Sequence, residues 1–167
     1  MCKSIGIIAI KGGVGKTTIS AALAASLSND YKKRVLLIDA NYSAPNLAFH
    51  TDVLEPKKTI HNVLKNDAKI ESAIHEKYGM HVIPGVYEEL NSSDILKLKD
   101  KIKKVKKNYD FIIIDSSPSL NEEILSTMLA SDNLFVVTTP DYPTLNATLH
   151  AARLAKQRGK PIAGLII

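Results

Sequence analysis

The sequence predicts an α/β fold: a doubly wound, mostly parallel sheet with helices on both faces. Two observations lead there. Short, continuous apolar runs rich in Ile, Val and Leu alternate with helical patterns along the whole chain, as strands buried on both faces of a parallel sheet require. A glycine-rich segment and two aspartates, Asp39 and Asp115, fall directly after such runs. Ligands of open α/β sheets bind beyond the carboxyl ends of the strands, so these three features converge on one edge.

The elements follow in order. Ile5 to Ile10 reads as the first strand, and an alanine-rich helix is expected from Lys16 to Ser28. Arg34 to Ile38 forms the next strand and ends at Asp39. The looser stretch from Ala40 to Tyr78 should hold short helices at His61–Lys65 and Glu71–Lys77. Met80 to Ile83 is a strand closed by Pro84 and Gly85. A helix is expected from Ser93 to Lys107, capped by Ser92 or Ser93. Asp110 to Ile114 is a buried strand ending at Asp115. Glu122 to Ala130 is helical, Asn133 to Thr138 extended, Leu145 to Arg158 helical, and Ile162 to Ile167 extended. The chain stops inside that last core strand, which predicts a fragment or a short form lacking C-terminal elements.

Bulk properties exclude several classes. The 167 residues suit one domain, residues 1–167, with a sizeable core. No apolar run approaches the roughly 20 residues of a membrane span, and the first is too short for a signal peptide, so a cytoplasmic protein is expected. A single cysteine, Cys2, excludes an internal disulfide framework and any one-chain cysteine-pair metal site. The net charge of +5 suits an acidic partner, nucleic acid or anionic lipid without choosing among them.

The segment Lys11-Gly12-Gly13-Val14-Gly15-Lys16-Thr17-Thr18 carries the strongest chemistry. It follows a strand and opens a helix, the context a phosphate loop requires. Glycines let the backbone curl so that several N–H groups face phosphate oxygens, and the helix N-terminus adds its positive end. Lys16 should reach the β- and γ-phosphates, and the Thr17 hydroxyl should ligate Mg²⁺. The plain motif has glycine where this chain has Ile10; the match is to the deviant form with the extra lysine Lys11.

That segment resembles the signature of the MinD/ParA family of deviant Walker P-loop ATPases, and the resemblance runs along the whole chain. Asp39-Ala40-Asn41 with Pro45-Asn46-Leu47 resembles the family's switch I. Ile112 to Leu120 resembles its Walker B strand and switch II, Thr138-Thr139-Pro140-Asp141 its Thr-Thr-Pro-Glu turn, and Ala163 to Ile167 the strand leading to an adenine-reading asparagine. The resemblance implies ATP and Mg²⁺ as cofactors, ATP hydrolysis, and a nucleotide-dependent homodimer. It further implies a protein activator and attachment to DNA or an anionic membrane, peripheral to membrane or nucleoid. It makes Lys11 the lysine that crosses a dimer interface to the partner's phosphates, Asp115 the acid that holds Mg²⁺ through water, and Asp39 the first acid of switch I near metal and γ-phosphate. The second switch I acid is replaced by Asn41, and an amide orients a water without taking its proton. Hydrolysis is therefore expected to be slow, to be carried by Asp39 as the remaining catalytic acid, or to be lost. Cluster-bridging relatives are set aside because they need paired cysteines.

Lysines 97, 99, 101, 103, 104, 106 and 107 crowd one helix whose Ile95, Leu98, Ile102 and Val105 form a buried stripe. A solvated face is the plain reading; a non-specific patch for DNA phosphates or anionic lipid is the sharper one. His50, His61, His75, His81 and His150 are scattered and read as structural or surface residues. Two other functions compete with the ATPase: a nucleotide-binding adaptor with negligible turnover, and a small-molecule kinase or synthetase on the same scaffold.

Overall fold

The computed structural model describes residues 2–167. Seven strands form one sheet in the order β3-β4-β2-β5-β1-β6-β7. They are β1 (Lys3–Ile8), β2 (Val35–Ala40), β3 (His75–Lys77), β4 (Met80–Ile83), β5 (Phe111–Ser116), β6 (Asn133–Val137) and β7 (Ile162–Ile166). All neighbours pair in parallel except β3 with β4. The doubly wound, mostly parallel sheet expected from the sequence is present.

Seven helices connect the strands: α1 (Lys16–Asn29), α2 (Leu47–His50), α3 (Ile60–Leu64), α4 (Ser92–Ile95), α5 (Leu98–Val105), α6 (Glu122–Ala130) and α7 (Tyr142–Gln157). The alanines of α1 let it lie close on one face, against Ile7, Leu37, Ile113 and Val137. The opposite face is covered by α3, α4 and α5 over Leu36, Ile38, Ile112 and Ile114. There α6 and α7 pack on Ile8, Leu134 and Val136. Alternate residues of each central strand thus serve opposite cores, which is why these strands read as unbroken apolar runs. None of the described helices is long and apolar enough to cross a membrane.

The crossovers from β1 through α1 and from β5 through α6 leave on opposite faces. A crevice therefore opens where the carboxyl ends of β1 and β5 meet.

Three local expectations change. The segment expected as a helix at Glu71–Lys77 is a 3-10 turn at Ile70–Ala73 followed by β3. Tyr78 and Gly79 both take positive φ, at 51° and 74°, and make the tight turn that folds β3 back on β4. The helix expected over Ser93–Lys107 breaks into α4, α5 and a 3-10 turn at Lys106–Asn108. The Ile95 carbonyl, which a continuous helix would give to the amide four residues on, accepts instead from Ser126 Oγ of α6 at 2.6 Å. Finally, α7 starts at Tyr142 because the Asp141 carboxylate caps the Thr144 amide at 2.9 Å with Pro143 in the first turn.

β1 meets the end of α6 and β6 so closely that a Cβ on Gly6 would lie 2.5 Å from Oγ of Ser131, the C-cap of α6, and 2.8 Å from Leu134 Cδ2 of β6. Gly6→Ala should therefore destabilise the fold by about 1–3 kcal/mol, read by denaturant unfolding. An unchanged midpoint would show that Ser131 and Leu134 move away without cost.

Candidate functional site

The phosphate loop fills the crevice. Gly13 and Gly15 take φ of 76° and 94°, values closed to most side chains, and the Gly15 turn delivers the chain into α1 with no side-chain cap on its free amides. The loop residues Gly12, Gly13, Gly15, Lys16, Thr17 and Thr18 line one side of a cavity of about 270 Å³. Asn41, Asn46 and His50 line the side toward β2, and Ser116 and Pro118 the side toward β5. The Val14 side chain turns away into the core under α1.

Asp39 and Asp115 lie beneath this cavity. They are register partners on adjacent parallel strands, so their side chains emerge on the same face. Both are fully buried. Asp115 Oδ1 accepts from Ser20 Oγ at 2.9 Å, while its Oδ2 is buried without a partner among the described residues. Asp39 spends both oxygens on main-chain amides, Asn41 at 3.1 Å and Leu47 at 3.1 Å.

Burial, then the Asp115 charge, pushes the Asp39 carboxyl up to about 7 against the pull of its amides. Burial also raises Asp115; the Thr17 and Ser20 hydroxyls and Lys16 oppose it. Lys16 is itself nearly buried, and desolvation lowers its ammonium while Asp115 supports it. Two buried acids facing one desolvated lysine leave excess negative potential. An oxygen-seeking divalent cation relieves such an excess, and the unpaired Asp115 Oδ2 beside the Thr17 hydroxyl is the donor chemistry it needs. Thr17 Oγ1 lies 3.1 Å from Asn46 Oδ1.

Lys11 is half-exposed, and its ammonium pairs with Asp141 of its own chain at 3.2 Å. The Thr139 hydroxyl, the Thr144 amide and hydroxyl and, last, Lys11 hold the Asp141 carboxyl far below the usual range. The structure thus brings Lys16, Thr17, Asp39 and Asp115 together and leaves Lys11 at the rim.

Three contributors escaped the sequence. Ser20 sits one turn into α1 and orients Asp115. His50 lines the cavity from α2, a helix with no sequence signal. Glu123 of α6 is buried and holds the loop after Asn41. The helical spacing of Ser20 from Lys16 was readable; the other two depend on tertiary placement.

Three of the seven lysines of the basic helix are paired with acids. Lys97 pairs with Asp94, Lys103 with Asp100 and Lys106 with Asp132; Lys101 is buried against Asn66 Oδ1 at 2.6 Å. The stripe of Ile95, Leu98, Ile102 and Val105 is buried as expected. Cys2 is half-buried, and burial pushes its thiol up, away from nucleophilic use.

Glycine loop, buried lysine and acid pair at the switch point of a parallel sheet define a P-loop nucleotide-binding protein. A family model described as an AAA domain matches residues 2–157. An ATP-binding protein of Methanocaldococcus jannaschii is 34% identical over 160 residues, covering 94% of this chain and 60% of that protein. The sporulation initiation inhibitor Soj of Bacillus subtilis is 31% identical, over 94% of this chain and 67% of its own length. The septum site-determining protein MinD of Pyrococcus horikoshii OT3, solved with Mg-ADP, superposes with a TM-score of 0.91 at 32% identity, over 100% of this chain and 70% of that one. The chain belongs to the MinD/ParA family of P-loop ATPases. It spans about three fifths to two thirds of the length of these curated relatives.

His61 holds the loop after Asn41 from behind. Its Nε2 donates to the Tyr42 carbonyl at 3.1 Å and its Nδ1 accepts from the Val86 amide at 3.4 Å, an arrangement that needs the neutral ring. Burial lowers its pKa below the ordinary 6.5; the Tyr42 carbonyl and Glu88 pull it up, and Lys65 adds to the lowering. The unfolded chain thus takes up the proton first, so this stabilisation is complete above the ordinary value and is lost as pH falls. The melting-temperature advantage of the parent over His61→Gln should shrink between about pH 7.5 and 5.5. A constant or widening gap in thermal scans would refute this.

Proposed function

We propose that this chain binds Mg-ATP, hydrolyses its γ-phosphate bond slowly by water attack, and uses the nucleotide to control a homodimer that engages a partner protein, DNA or an anionic membrane. The observation that carries the reading is the unpaired Asp115 Oδ2 and desolvated Lys16 beneath a loop of inward-curling glycines. The protein would act from the cytoplasm, at a membrane or nucleoid surface. The M. jannaschii relative's ATP-binding description and the Mg-ADP of the P. horikoshii structure support the ligand.

The roles follow from position. The amides of Gly12 to Thr18, with the side chains of Lys16 and Thr17, hold the polyphosphate. Thr17 and Asp115 would hold Mg²⁺, Asp115 through water. When bound, the metal would neutralise charge on the phosphates and so lower the cost of transferring the terminal group. Asp39 adds the second negative charge and fixes the loop that carries Asn41; direct ligation by it requires release of the Asn41 or Leu47 amide. Lys11, freed from Asp141, would reach a partner's phosphates. Catalysis in this arrangement comes from positioning and charge neutralisation.

A second reading, an adaptor with negligible turnover, draws on Asn41. Its Nδ2 donates to the Ala44 carbonyl at 2.6 Å and its Oδ1 has no partner among the described residues. That oxygen can accept a hydrogen bond from a water but is too weak a base to deprotonate it.

Lys16→Ala should weaken Mg-ATP-analogue binding by about a hundredfold or more in calorimetry while preserving the far-UV spectrum; unchanged affinity would end the Mg-ATP reading. Asn41→Asp should raise phosphate release by about tenfold or more over the parent. Fast turnover by the unaltered chain would remove the adaptor. Lys11→Ala should keep ADP affinity and lose ATP-dependent dimerisation in sedimentation; a dimer that persists would take the bridging role from Lys11.

A further inference from the structure

Two loops close the cavity opposite the phosphate loop. One leaves β2 through Asn41, Tyr42 and Ser43; the other leaves β5 through Ser116, Ser117 and Pro118. They belong to different crossovers, and the start of α6 ties them together through Glu123 and Asn121. Glu123 stands in the first turn of α6 and is 5% exposed. Its two carboxylate oxygens accept from the Tyr42 amide at 3.0 Å and the Ser43 amide at 3.2 Å. Two residues earlier, at the N-cap, Asn121 Oδ1 accepts from the Glu123 and Ile124 amides and lies 3.2 Å from Ser117 Oγ. The first turn of α6 therefore grips both loops at once.

An acid in a helix's first turn ordinarily serves the helix dipole from the surface. Glu122 next to it is exposed and does that. Glu123 is buried instead, at the expense of desolvating a carboxylate, and both its oxygens serve a distant segment. Charge-assisted bonds to two consecutive amides fix the direction of the backbone, and with it the Asn41 side chain immediately before them.

We propose that Glu123 is a positioning residue that sets the Asn41 loop against the Ser116–Pro118 loop, so that the cavity recognises a terminal phosphate. This rests on the Mg-ATP reading above. A diphosphate held by the phosphate loop alone does not need the two far loops in register; a triphosphate reaching between them does.

The test uses the 167-residue chain, with Glu123→Gln as the isosteric variant and Glu123→Asp as the shorter, still charged one. In Glu123→Gln the Tyr42 and Ser43 amides should exchange with deuterium about tenfold faster or more, while Ile38 and Ile114 in the core are unchanged. Calorimetry should show Mg-ADP affinity within about twofold of the parent and affinity for Mg with a non-hydrolysable ATP analogue reduced about fivefold or more. Glu123→Asp should shift both readouts in the same direction by less. Unaltered exchange at Tyr42 and Ser43, or equal weakening of ADP and ATP analogue, overturns the proposal. A parent that binds neither nucleotide defeats the Mg-ATP reading itself and the terminal-phosphate role with it. The exchange rates still decide whether Glu123 holds the loop.

Discussion

Two aspartates side by side in the register of β2 and β5 are the constraint around which the rest of the molecule is organised. Parallel pairing at that register forces both carboxylates to the same face, under α1, where neither meets bulk water. Like charges at such a place repel and are poorly solvated, and each is tolerable only through local donors. The surroundings supply them: two amides on Asp39, a serine on Asp115, and a lysine whose own burial makes sense only beside an acid. One oxygen, Asp115 Oδ2, remains without a partner among the described residues. A fold selected for stability alone would have a leucine or an asparagine there, so the unfinished arrangement is a mark of ligand chemistry.

The same economy shapes the loop after β2. Amides at Asn41, Tyr42, Ser43 and Leu47 are held by just two carboxylates, Asp39 from the strand below and Glu123 from α6. His61 accounts for the Tyr42 carbonyl. A segment without regular structure is thus fixed at five main-chain groups by three titratable side chains. Such bonds are strong in a low dielectric and respond to charge nearby. A cation arriving beside Asp115 would change the balance at Asp39, its register partner, and the loop that Asp39 holds begins two residues later.

Most of the sheet was legible because each strand feeds two cores, and a strand buried on both faces has little freedom in its composition. Ile112, Ile113 and Ile114 could not be much else. The phosphate loop was legible for a different reason: only glycine takes the φ of Gly13 and Gly15 without strain. What failed to read was set by partners far along the chain. β3 is three residues paired to β4 at a sheet edge, with polar side chains that fit a helix equally well. The break between α4 and α5 comes from one serine of α6. Glu123 looked like an ordinary first-turn acid because burial by a loop some 80 residues away leaves no local trace.

The ion pair between Lys11 and Asp141 shows how a rim contact can be both formed and dispensable. Both side chains are partly exposed, and exposed pairs of this kind add little to stability because water and salt compete with them. Asp141 does not depend on Lys11: the Thr139 hydroxyl and the Thr144 amide and hydroxyl contribute more to keeping it ionised. Lys11 is therefore parked rather than locked. On the proposed reading, a phosphate with more charge than one carboxylate, presented across an interface, would displace Asp141 without disturbing α7, whose cap would remain in place. The asymmetry lies in the partners: Asp141 keeps its donors whichever way the lysine goes, so the switch of Lys11 from one anion to another costs the fold almost nothing.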